Sequence, residues 1–134
     1  MANFEAVSRT NYFGVKDRGA FFEELKKLSF EDIDIFEKED DSDKIALGGY
    51  CDITTPYDDY EDECVELEKI IQKHIKEDDA CIFTVSGNEK LRYVCAYSSV
   101  VTAKGIKHID APTIALKHAA EMLGVEKFET QMTF

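Results

Sequence analysis

The sequence predicts an α+β domain, and three observations predict it. Residues 79–102 hold two runs of β-branched, aromatic and small apolar residues around Ser86-Gly87-Asn88-Glu89, whose Gly and Asn tolerate the positive φ of a tight reversal, so they read as a β-hairpin. Residues 17–28 and 60–75 instead repeat apolar side chains at helical spacing. Finally, 134 residues with an apolar fraction of 44% suffice for one domain, residues 1–134, that buries roughly two-thirds of its unfolded surface without metal or disulfide help.

In chain order, residues 8–15 turn from polar to aromatic and β-branched, as a strand entering a sheet does. Asp17 is placed to cap a helix through Leu28, with Phe21, Leu25 and Leu28 on one face and Glu23, Glu24, Lys26 and Lys27 facing out. Ile33 and Ile35 alternate with acidic residues up to Phe36, and residues 45–53 form a second extended run across the acidic turn 39–43, which makes another hairpin. Gly48 and Gly49 inside its second arm mark a bulge or a close backbone approach. Pro56 ends that arm. A second helix then carries Tyr60, Cys64, Leu67, Ile71, His74 and Ile75 on one face, with acidic residues in its first turns and Lys69, Lys73 and Lys76 in its last, matching the helix dipole. Beyond the 79–102 hairpin, whose second arm is free of Pro and Gly and suits an inner strand, Gly105 breaks the chain. Asp110 offers an N-cap and Pro112 sits in the first turn of a third helix to Leu123, which Gly124 is placed to end. Residues 128–134 alternate as a last strand.

The order β-α-β-β-α-β-β-α-β begins with the β-α-β-β-α-β pattern of ferredoxin-like folds, in which two helices cover one face of an antiparallel sheet. The further strand, helix and C-terminal strand extend that sheet. Phe21, Leu25, Leu67, Ile71, Phe83 and Val94 are the expected core.

The net charge of −12 is concentrated. Residues 31–68 hold sixteen Asp or Glu against Lys38 and Lys44, a balance of −14, while the rest of the chain carries 14 basic against 12 acidic residues. Such a surface repels phosphate backbones, which argues against direct nucleic-acid binding, and attracts basic partners. The apolar runs are far shorter than a membrane span and the start Met-Ala-Asn-Phe-Glu-Ala is not a secretion signal, so a cytoplasmic protein without membrane contact is expected. Its four cysteines, Cys51, Cys64, Cys81 and Cys95, are then thiols, and no C-x-x-C spacing suggests zinc.

No catalytic, cofactor or metal motif is legible. His74 on the second helix, His108 in a turn and His118 on the third helix read as structural or solvated. A thiol-enzyme pairing such as Cys95 with His74 lacks a local signature. Asp41-Ser42-Asp43 starts like a calcium loop but continues with Ile45 and Ala46 where an oxygen ligand and Gly are needed, and Leu47-Gly48-Gly49-Tyr50 lacks the Lys of a phosphate loop. Tyr93 and Tyr97 share a strand face and would form a base-stacking platform if that face lacked helices. The strongest candidate surface is acidic: Asp58, Asp59, Glu61, Asp62 and Glu63, with Asp40, Asp41 and Asp43. A solvated face that confers solubility competes with the reading of a docking site for a basic groove.

At Ser8-Arg9-Thr10-Asn11-Tyr12-Phe13, Gly48-Gly49-Tyr50, Glu89-Lys90-Leu91-Arg92-Tyr93-Val94 and Val100-Val101-Thr102, the chain resembles small acidic proteins carried by prophages and conjugative elements of Gram-positive gut bacteria. The resemblance implies no catalytic residues. It does imply a setting in which small acidic proteins inhibit restriction and CRISPR systems. The expected function is therefore a non-enzymatic interaction protein of a mobile element, without cofactor, whose carboxylates occupy a basic surface of a nucleic-acid-binding protein. The alternatives are a small thiol- or metal-dependent enzyme and a nucleic-acid-binding module using Tyr93 and Tyr97.

Overall fold

The computed structural model describes residues 5–29, 33–37, 44–50, 53, 57–58, 63–64 and 66–130; for residues 29, 57, 58, 63, 64, 92 and 93 it describes the backbone. The chain is α+β, and among the described residues it has three helices and a mostly antiparallel seven-stranded sheet. The elements are β1 (Glu5–Thr10), β2 (Phe13–Gly14), α1 (Arg18–Lys26), β3 (Leu28–Ser29), β4 (Ile33–Glu37), β5 (Lys44–Gly49), β6 (Tyr57–Asp58), β7 (Glu63–Cys64), α2 (Leu67–His74), β8 (Cys81–Glu89), β9 (Arg92–Thr102), β10 (Gly105–Asp110) and α3 (Ala111–Leu123). The large sheet runs β10-β9-β8-β1-β5-β2, with β4 on the other edge of β5, and β3-β6-β7 form a second, small sheet. This order differs from that of a ferredoxin-like sheet, because β9 and β10 continue outward from β8.

The expected first strand is broken in two. The four steps from Arg9 to Phe13 span only three from Gly48 to Ile45, so β1 and β2 pair with β5 on either side of one extra residue. Side chains repair the break. Thr10 Oγ1 accepts the Leu47 N–H at 2.9 Å, and Asn11 bridges to β8 by accepting from Ile82 N at 2.7 Å and donating to Ala80 O at 3.0 Å. Gly48 is a close approach: a Cβ there would meet Arg9 Cδ and the Ser8 carbonyl at 3.2 Å and the Phe36 ring at 3.3 Å.

One core lies between the sheet and α1 and α2. Phe13, Phe21, Ile45, Leu67, Ile71, Ile75 and Phe83 are fully buried in it. Strand alternation explains which sheet residues reach it: Cys81, Phe83 and Val85 point in, and Ile82, Thr84 and Ser86 point out. Both terminal helices are capped as their sequences require. Asp17 accepts from Ala20 N, Asp110 accepts from Thr113 N at 2.7 Å, and Gly124 takes the left-handed conformation at φ 69° with its N–H on Glu121 O.

Five expectations are corrected. The 79–102 hairpin turns at Lys90-Leu91, three residues later than expected, because Lys90 adopts φ 54° while Gly87 and Asn88 stay in β8 beside a register shift. The second helix starts at Leu67, not near Tyr60; Cys64 belongs to β7, which pairs through β6 with β3, and those ladder bonds replace the helical ones. Residues 105–110 form an edge strand, so His108 is not in a turn. Residues 125–130 form no strand, since alternation without a neighbouring edge gives no ladder; residues 131–134 lie outside the described residues. Val94 is 51% exposed, because its side of β9 faces away from α1 and α2. As expected, β9 is an inner strand, paired with both β8 and β10. Among the described residues, no helix is long and apolar enough to cross a membrane.

Candidate functional site

Two residues of the acidic cluster, Asp58 and Glu63, belong to the small sheet. β6 and β7 pair so that Asp58 stands opposite Glu63, with Leu28 of β3 on the other side of Asp58. Asp58 and Glu63 are in two-residue strands, not in a turn and a first helical turn. Asp59, Glu61 and Asp62, together with Asp40, Asp41 and Asp43, lie outside the described residues. Of the other acidic side chains in this half of the chain, Asp34 and Glu37 are exposed on β4, with Glu37 3.8 Å from the Arg18 guanidinium, and Glu66 lies 3.6 Å from Lys69 Nζ.

Each histidine is held by a carboxylate. The His74 ring, 12% exposed, pairs with Glu24 of α1 and lies against the Phe21 ring, while Lys73 Nζ approaches the same Glu24 at 2.9 Å. Burial raises the Glu24 pKa, but the hydrogen bonds from Lys73 and His74 and their charges outweigh it and hold the carboxyl below its ordinary value of 4.5. His118 lies 3.4 Å from Glu121 on α3. His108 reaches from β10 to Glu68 of α2 at 2.8 Å.

That last pair was not visible in the sequence, because it joins residues forty positions apart. Ser99 of β9 stands opposite His108, which brings Ser, His and Glu together, the residue types of an acyl-transfer triad. Their arrangement does not serve that chemistry. Ser99 is fully buried, and its Oγ has no hydrogen-bond partner among the described residues, whereas a nucleophile must touch both base and substrate. Cys81 is no better placed: burial, helped by the charges of Asp79 and Glu68, pushes its thiol pKa up, away from the reactive thiolate. No group of three or more His, Cys, Asp or Glu among the described residues has metal-site geometry. Cys81 and Cys95 are free thiols.

The sheet face turned away from α1 and α2 is the second surface of interest. Val7 and Val94 are half exposed there, Ile82 is 42% exposed, and Thr84 and Ser98 hydroxyls lie 3.3 Å apart across the β8–β9 pair. Arg9 stacks on the Phe36 ring at 3.9 Å, over the space that Gly48 leaves free. Three grooves mark this side. One of about 680 Å³ is bordered by Val7, Tyr50 and Val94, one of about 280 Å³ by Arg9, Asp34 and Phe36, and one of about 270 Å³ by Ser98, Ile109 and Ile114. The expected aromatic platform is not on it. Tyr97 pairs with the buried Val85 and so lies on the helix-bearing face, and the Tyr93 side chain lies outside what is described. Compared with known proteins, the chain matches no family model, no curated protein and no solved structure.

Proposed function

We propose that this chain is a non-enzymatic interaction protein whose acidic segment docks on the basic surface of a nucleic-acid-handling protein in the cytoplasm. The observation that carries this reading is the concentration of charge in the sequence: residues 58–63 hold five carboxylates, within a segment, residues 31–68, whose balance is −14. A run of like charges repels itself, and a cationic groove built for phosphates relieves that repulsion while the carboxylates take the place of the phosphates. In the form suggested by the resemblance to mobile-element proteins, the partner is a restriction or CRISPR enzyme. The pairing of the histidines with carboxylates supports binding over catalysis, because His74 and His108 already serve as ties between elements. The section β8-β1-β5-β4, antiparallel throughout and covered by α1 and α2, supports a ferredoxin-like reading of the core.

The test replaces Asp58, Asp59, Glu61, Asp62 and Glu63 by Asn or Gln together. Folding is checked by circular dichroism, and the affinity for a partner captured from host lysate is measured at two salt concentrations. The expected outcome is a folded protein that binds more weakly, with the largest loss at low salt, where the Debye length is long. Unchanged affinity and unchanged salt dependence would remove the acidic segment as the interface.

A further inference from the structure

Three features hold Arg9 in place on the sheet face turned away from α1 and α2. Its guanidinium stacks on the Phe36 ring at 3.9 Å, its Nε donates to the Thr10 carbonyl at 3.3 Å, and its stem passes over Gly48, where a Cβ would come within 3.2 Å of Arg9 Cδ. A guanidinium ordered in this way keeps its Nη donors available and loses little further freedom when they are used. Those Nη groups have no partner among the described residues, although Lys16, Arg18, Lys26, Lys69 and Lys73 each lie 2.9–3.8 Å from a carboxylate oxygen. Asp34 lines the same groove of about 280 Å³, and its carboxylate is likewise unpaired among the described residues. Gly48 stands opposite both Arg9 and Asp34, so the two side chains flank a strip of bare backbone on one face. They do not meet. The guanidinium rests on Phe36, which is two residues from Asp34 along β4, a separation of about 7 Å.

We propose that this groove binds a free α-amino acid with an apolar side chain, its carboxylate on Arg9 and its ammonium on Asp34. Two charge-assisted hydrogen bonds of about 2.8 Å each, joined through a ligand whose opposite charges are separated by one carbon, span the gap that Arg9 and Asp34 leave between them. The planar fork of the guanidinium matches a carboxylate, and Asp34 accepts from an ammonium. Charge selects the class. An anion that reaches Arg9 also meets Asp34 and a molecule of net charge −12, whereas a cation that reaches Asp34 meets Arg9; a zwitterion satisfies both groups and is neutral as a whole. The end of a polypeptide carries one of the two charges, so the free amino acid fits better than a chain terminus. The side chain has a place as well. Val7 and Tyr50, 50% and 83% exposed, border both this groove and the adjoining one of about 680 Å³, which continues to the half-exposed Val94. An apolar side chain lying there removes the surfaces of Val7 and Val94 from water, and Tyr50 offers it a ring.

The test is a titration of the full chain, labelled with nitrogen-15, with L-phenylalanine, N-acetyl-L-phenylalanine and L-phenylalanine amide, followed by the amide resonances of residues 7–9, 34–36 and 48–50. L-Phenylalanine is expected to shift these resonances saturably. The acetylated probe lacks the ammonium and the amide probe lacks the carboxylate, so each is expected to bind about tenfold more weakly or less. Arg9→Gln and Asp34→Asn are each expected to weaken L-phenylalanine by a similar factor with unchanged circular dichroism, since both side chains are exposed, and Asp34→Asn is expected to leave the acetylated probe unaffected. Absence of a saturable shift overturns the proposal, as does a blocked probe that binds as well as the free amino acid or an affinity indifferent to both substitutions. Asp34 is not among the five carboxylates replaced to test the acidic interface, and that variant is expected to bind L-phenylalanine as wild type does, so failure here and failure there are separate results.

Discussion

Glu24 shows how a single side chain joins two helices. It is placed on the outer side of α1 by periodicity, yet it receives Lys73 and the His74 ring from α2, and the half-buried site makes both interactions stronger than on an open surface. Because the folded-state pKa lies below the unfolded one, the carboxylate stabilises the fold at pH values above 4.5, and that stabilisation is lost as pH falls through the depressed value. The urea midpoint is therefore expected to fall on acidification below 4.5, and to fall less in Glu24→Gln. Equal losses in the two proteins would show that this carboxylate adds nothing. Gly48 is a second case where one residue decides local structure, since any side chain there would displace the Arg9–Phe36 stack or the β1 backbone.

At the scale of elements, α2 is short but central. Its Leu67 and Ile71 are fully buried, and its Glu68 ties β10 to the helix layer through His108. Leu67→Ala should cost about 2–5 kcal/mol in chemical denaturation, the transfer of a buried isobutyl group plus the cavity left behind. A loss below about 1 kcal/mol would mean that the core beside α2 collapses around the missing group. The start of α2 also explains an error of sequence reading. The run from Tyr60 has helical spacing, but spacing states only which residues could share a face. Glu63 pairs instead with Asp58, and Asp58 with Leu28 of β3, which lies thirty residues earlier.

For the whole molecule, the decisive property is uneven charge. An excess of fourteen negative charges in residues 31–68 acts against compaction, while the ion pairs given above are mostly exposed and each contributes little. Screening should then favour the folded state. The thermal midpoint is expected to rise as sodium chloride is raised from about 0.01 M to about 0.1 M, over which the Debye length shortens from about 30 Å to about 10 Å. A midpoint that falls would show that attractive pairs outweigh the repulsion.

The sequence by itself determined the class, the number and capping of the helices, and most of the core. Caps, apolar periodicity and strand alternation are local properties, so Asp17, Asp110, Gly124, Phe21, Leu25 and Phe83 could be placed from their neighbours alone. It also determined the concentration of acid in one segment. Only the tertiary structure decided what pairs with what: that Thr10 completes the broken strand, that residues 105–110 form an edge, that Val94 and Tyr97 lie on opposite faces, and that His108 meets Glu68. These depend on register and on long-range ladders, where shifting a strand by one residue turns every side chain to the other face, and no local pattern carries that information.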